Sequence, residues 1–147
     1  MSTTPTFSTQ LIGRTEKTLN AILDRLLGGT GLTEPQWVTL SIAVMSGGTI
    51  DVAAFVNRVS DALRINGAEA RARIDELAAA QLFEISDVDG STVRVTDAGR
   101  QLHARIRSVV VEITDRMWGD LPAEDLAAAA RVLTIVLERA NAELARA

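Results

Sequence analysis

The chain has 147 residues, 47% of them hydrophobic, with 15 Lys and Arg against 19 Asp and Glu and a net charge of −4. The absence of Cys excludes disulfides, thiolate chemistry and Cys-ligated zinc or iron–sulfur sites. The apolar content suffices for one domain, no apolar run approaches the roughly 20 residues that span a bilayer, and the acidic balance confines any nucleic-acid surface to a local patch.

Residues 1–7 read as flexible and lack the basic and apolar regions of a signal peptide, so a cytoplasmic location is expected. From Ser8 to about Leu27 apolar residues recur at three- and four-residue spacings, the pattern of a helix. Gly28-Gly29-Thr30-Gly31 ends it; without a preceding strand and a following Lys-Ser/Thr, this run is not a phosphate loop. Thr33 is a suitable N-cap for the next helix, Glu34-Pro35 opens its first turn, and Gln36 completes a capping box. Trp37, Leu40, Val44 and Met45 are assigned to its core face, and Gly47-Gly48 stops it.

A third helix starts at about Ile50 or Asp51 and buries Val52, Phe55, Val56 and Val59. Leu63-Arg64-Ile65 either extends it or connects it to a turn at Asn66-Gly67. The helix from Ala68 to about Ala80 has Ala70, Ile74, Leu77 and Gln81 as its apolar face. Leu82–Ile85 and Thr92–Val95 read as two short strands around an Asp89-Gly90 hairpin tip. Thr96 caps a long helix with Leu102, Ile106, Val109, Val110, Ile113 and Met117 on one side. Gly119-Asp120-Leu121-Pro122 breaks it, and residues 123–145 form a last helix. The first and last helices carry more apolar surface than a small lobe can cover, which points to a symmetric homodimer, the other option being a monomeric helical bundle. The fold class is therefore mainly α: a winged helix-turn-helix with a two-stranded β-wing and long N- and C-terminal dimerisation helices.

Over about residues 10–143 the chain resembles the MarR family of transcriptional regulators. The resemblance is carried by Leu32-Thr33-x-x-Gln36-Trp37-x-x-Leu40, the Leu77-x-x-x-x-Leu82 join, Asp87-x-Asp89-Gly90, and Val95-Thr96-Asp97-Ala98-Gly99-Arg100. It implies a single domain over 1–147, with a DNA-binding lobe at 33–98 and dimerisation helices at 8–28 and 99–145. It further implies an obligate homodimer on pseudo-palindromic double-stranded DNA, often a repressor, released by a small aromatic effector. No cofactor, metal, membrane or enzymatic activity is expected.

Under this resemblance the 68–80 helix enters the major groove. A helical wheel then places Ala68, Glu69, Ala72, Asp75 and Glu76 outward, with Arg71 and Arg73 on the flanks. Arg71 is the leading candidate for a base or phosphate contact. Arg73 either contacts DNA or pairs with Asp75 or Glu76, and Glu69 can accept from a cytosine amine or be a solvated helix residue. Arg58 and Arg64 either reach phosphates or pair with Asp61. Family wings carry Arg near the tip, whereas here Arg94 on the second strand is alone. Residues 49–100 hold nine carboxylates against six Arg, a local balance of −3. This predicts weak or strongly salt-sensitive DNA binding, and leaves open a winged-helix relative that has lost DNA and serves as a protein-interaction or regulatory partner. His103, the sole His, is assigned to a helix surface or to a ligand or interface edge. Trp37, Leu40, Phe55 and nearby Arg or His side chains either line an aromatic ligand site or are ordinary core.

Overall fold

A computed structural model describes residues 4–86 and 90–146. Asp89, in the expected hairpin tip, and Asp87 of the wing motif lie outside the described residues. The elements are α1 (Thr9–Leu27), α2 (Glu34–Met45), β1 (Thr49–Asp51), α3 (Val52–Leu63), α4 (Gly67–Ala79), β2 (Phe83–Ile85), β3 (Thr92–Val95), α5 (Asp97–Trp118) and α6 (Ala123–Ala145). Residues 1–109 and 110–147 form two compact units.

Local chemistry sets the helix starts in the first unit. Ser8 Oγ accepts from the Leu11 amide at 3.1 Å, and Asp51 from the Ala54 amide at 3.2 Å. At α2 the capping box is complete: Thr33 Oγ1 accepts from the Gln36 amide at 3.4 Å, and Gln36 Oε1 accepts from the Thr33 amide at 3.0 Å. The ends of α2 and α4 share one device. Gly48 donates its N–H to Ala43 and Gly47 to Val44, while Leu82 donates to Leu77 and Gln81 to Ala78. Each is a Schellman closure that needs one residue in the left-handed region, filled by Gly47 at φ 95° and Gln81 at φ 66°.

The core of this unit joins α2, α3, α4 and the sheet. Leu40, Phe55, Val59, Ala70, Ile74, Val93 and Val95 are fully buried, and Phe55 meets Phe83 edge-on at 5.6 Å between ring centroids. Each large apolar side chain so buried contributes about 1.5–3 kcal/mol. Three expected core positions move. Met45, in the last turn of α2, is 76% exposed, and Ala43 and Thr39 take the buried places. Gln81 lies past the end of α4, exposed at the Schellman position. Val109 is exposed in the single chain.

The two expected wing strands, β2 and β3, pair antiparallel, and a third strand not expected, β1, joins them on the other side of β3, giving a sheet in the order β1-β3-β2. Ile50 pairs with Val93, and Phe83 with Val95. The expected α3 start at Ile50 or Asp51 becomes strand, and α3 begins at Val52.

Thr96 ties this sheet to α5. Its amide donates to the Leu82 carbonyl at 3.0 Å, and its hydroxyl donates to the Gln81 carbonyl at 2.7 Å. The same hydroxyl accepts from the Gly99 amide at 3.1 Å, capping α5. Gly99 is buried against this junction.

In the second unit, no described residue of α6 is buried, and Val132, Leu133, Ile135, Leu137 and Leu144 are exposed. No helix among the described residues is long and apolar enough to cross a membrane.

A Cβ at position 99 would stand 2.4 Å from the Leu82 carbonyl oxygen and 2.9 Å from Val95 Cγ1. Because the first clash is with backbone, Gly99→Ala is expected to destabilise the fold by about 1–3 kcal/mol. Urea unfolding checks this; unchanged stability would contradict the close approach.

Candidate nucleic-acid interface

The segment from α3 to α4 is a helix-turn-helix built by short-range hydrogen bonds. Leu63 ends α3, and Arg64 turns the chain in the left-handed region at φ 57° and ψ 47°. The Arg64 and Ile65 amides both donate to the Ser60 carbonyl. Asn66 then caps α4, its side-chain oxygen accepting from the Glu69 amide at 2.8 Å. The turn therefore comprises residues 64–66: Leu63 completes α3, and Arg64-Ile65 connects it to α4.

Burial of Ala70, Ile74 and Leu77 fixes the rotation of α4. Ala68, Glu69, Asp75 and Glu76 are exposed, as the wheel predicts. Arg71, Ala72 and Arg73 are half-buried on the same side or its flanks.

The basic side chains are engaged by the protein's own oxygens. Arg71 Nε donates to Asp75 Oδ1 at 3.0 Å, one helical turn on. Arg73 grips Glu76 with two bonds, Nε to Oε1 at 2.7 Å and Nη2 to Oε2 at 2.9 Å. Glu76 also accepts from Gln36 Nε2 of α2 at 3.1 Å. The Arg73 bonds, and then the Gln36 bond, hold the Glu76 carboxyl below the usual carboxylate range. On the sheet, Arg94 pairs across strands with Glu84, its register partner. Val93 and Val95 point inward and Arg94 outward, as the alternation predicts. Arg58 donates to the Ser46 hydroxyl at the end of α2, and Arg100 lies 3.8 Å from Asp97. Isolated surface pairs of this kind contribute about 0–1 kcal/mol, so their main effect is on which anion each Arg faces.

Two features lie outside this face. His103 of α5 stacks on Trp37 of α2, with ring centroids 4.9 Å apart and planes inclined by 18°. Burial, and secondarily the Arg107 charge, pushes its imidazole below the usual histidine range. An open groove of about 590 Å³ is lined by Thr30, Leu82, Ala98, Gln101, Leu102, Ala104 and Arg105. Leu40 and Phe55, weighed as ligand contacts, are fully buried in the core. Among the described residues, no group of three or more His, Asp or Glu could hold a metal ion.

Solved structures share this architecture over most of their length. A MarR family transcriptional regulator from Silicibacter pomeroyi DSS is 21% identical, with a TM-score of 0.75 over 90% of this chain and 88% of that one. MepR of S. aureus, in a DNA complex, is 19% identical, with a TM-score of 0.72 over 90% and 96%. CouR from Rhodococcus jostii RHA1, bound to p-coumaroyl-CoA, is 16% identical, with a TM-score of 0.72 over 86% and 88%. No protein-family model and no curated protein matches the sequence. The chain has the winged-helix fold of the MarR family regulators.

The stacked His103 gives the fold a pH signature. Its folded pKa lies below the unfolded value near 6.5. The neutral ring therefore supports full stability above that value, and stability falls as pH drops through 6.5 toward the folded pKa, where the unfolded chain binds the extra proton. Unfolding by urea at pH 7.5 and 5.5 is expected to show a smaller difference for His103→Phe than for the parent protein. Equal differences would contradict a depressed pKa.

Proposed function

We propose that this protein, which has the fold of the MarR family regulators, is a cytoplasmic, homodimeric transcriptional regulator that binds pseudo-palindromic double-stranded DNA, acting as a ligand-responsive repressor. One observation carries the reading: α4 is buried along one stripe and presents Arg71 and Arg73 beside its outward face, in a fold that MepR has in complex with DNA. In this arrangement α4 enters the major groove. Arg71 reads a base edge or grips a phosphate, and Arg73 supports it from the flank. Glu69 lies in the first turn of α4, where it can accept from a cytosine amine. Arg94 on β3, with Arg58 and Arg64 around the turn, supplies backbone contacts.

The dimer is supported by the apolar side chains that α6 and α1 leave exposed, among them Leu137 at 59% and Leu11 at 45%. Two α4 helices related by a twofold axis would read half-sites roughly 34 Å apart. Ligand response is supported by the groove at Leu82 and Gln101 and by the likeness to CouR, which is bound to p-coumaroyl-CoA. The groove lies beside the Leu82–Thr96 junction, so an occupant there would press on the link between α4, the sheet and α5.

A second reading, a winged-helix relative that no longer reads DNA and serves as a regulatory partner of another protein, is favoured by one observation. Arg71, Arg73 and Arg94 each face a carboxylate of their own chain.

Gel-shift titration at low salt with duplexes from the region upstream of the protein's own gene separates the two. A shift is expected, and Arg71→Ala is expected to weaken it about tenfold or more. Arg131→Ala on α6 is expected to leave it unchanged. No shift for any of these duplexes would overturn self-regulated DNA binding and favour the partner reading.

A further inference from the structure

We infer that Glu76, anchored to α2 through Gln36, is a latch on Arg73 that occupies its guanidinium and withholds it from DNA phosphate. The inference rests on the DNA-binding reading above and names a control built into the same surface.

Both carboxylate oxygens of Glu76 are engaged by Arg73, at 2.7 and 2.9 Å. This fork-to-fork geometry is the one a guanidinium offers to phosphate. A phosphate seeking the same bidentate Nε–Nη2 edge of Arg73 must therefore displace a carboxylate already seated there, and one approaching the Nη1 side meets a guanidinium whose charge Glu76 already offsets. The displaced Glu76 would then remain as a negative charge beside the incoming phosphate.

An intrahelical pair on an exposed face could swing aside as a unit, but Glu76 is also anchored from another element. Gln36 Nε2 donates to Glu76 Oε1 at 3.1 Å. Gln36 is itself held, because its Oε1 accepts from the Thr33 amide at 3.0 Å in the α2 capping box. The chain Thr33–Gln36–Glu76–Arg73 thus runs from the α2 N-terminus to the outward flank of α4. Arg71 differs, being joined to Asp75 by a bond of 3.0 Å from Nε within one helix. Arg71 is the readily released cation of α4, and Arg73 is the restrained one.

Glu76→Gln keeps the side-chain size and removes the charge. The test measures fluorescence anisotropy of a mixed-sequence labelled duplex at several salt concentrations. It compares the parent protein, Glu76→Gln, Arg73→Ala and the double variant, with thermal melts confirming that all four fold. Glu76→Gln is expected to bind about fivefold or more tightly. Its plot of log affinity against log salt is expected to steepen by about 0.9 for each phosphate newly engaged. In the Arg73→Ala background the same change is expected to shift affinity less than about twofold, since the gain passes through Arg73. An equal gain in that background would assign the effect to bulk charge and overturn the latch. Parent binding with no gain in Glu76→Gln would overturn the latch alone. Failure of both the parent and Glu76→Gln to bind any duplex would overturn the DNA-binding reading and the latch with it.

Discussion

Ala70, Ile74 and Leu77 form one stripe along α4, and their burial leaves that helix no freedom to rotate about its own axis. The placement of every charged side chain on α4 follows from that rotation. Arg71 and Arg73 come to the flanks, and Glu69, Asp75 and Glu76 to the exposed side. The helix is fixed along its axis as well. Asn66 sets its start, and the Schellman closure at Gln81 sets its end. The Leu82 carbonyl then receives the Thr96 amide, which joins α4, the sheet and α5 at one point.

Electrostatics limits what this framework does. Phosphate neutralisation supplies much of the affinity of a protein for DNA and makes it salt-dependent. Here the cations are present, but each of Arg71, Arg73 and Arg94 has a carboxylate within bonding distance. Formal charge understates this effect. A free Arg and a free Glu elsewhere on the surface would sum to the same net charge, whereas a paired Arg has part of its donor set and much of its charge already answered by a carboxylate. Affinity at such a surface depends on how tightly each Arg is held, and the structure ranks them, with Arg73 held more firmly than Arg71.

Much of this fold is legible in the sequence because its signals are local. The Thr33–Gln36 capping box, the 3.6-residue stripe of α4, and the alternation of Val93, Arg94 and Val95 each lie within a few residues. The third strand escapes because its partner is distant. Thr49-Ile50-Asp51 is too short to show a period, and it becomes a strand only by pairing with Thr92–Arg94 more than 40 residues later. Gln81 misleads for a different reason. Its spacing continues the apolar face, but the helix has already closed, with a non-glycine residue in the left-handed position. Met45 misleads likewise, at the last turn of α2 before Gly47 turns the chain. At the candidate interface, the sequence places Arg71 and Arg73 on the flanks of the buried stripe, where the structure has them, and offers Glu76 as one of two partners for Arg73. The third member, Gln36, lies 40 residues away in sequence and is visible only in the folded chain.

Whether the outward side of α4, together with Arg94 on β3, is the surface that meets DNA is tested most directly by backbone amide chemical shifts, followed while a mixed-sequence duplex is added at low salt. The expected changes cluster at residues 66–73 and at Arg94, with the amides of α6 unmoved. Changes confined to α6 or α1, with α4 silent, would contradict the claim.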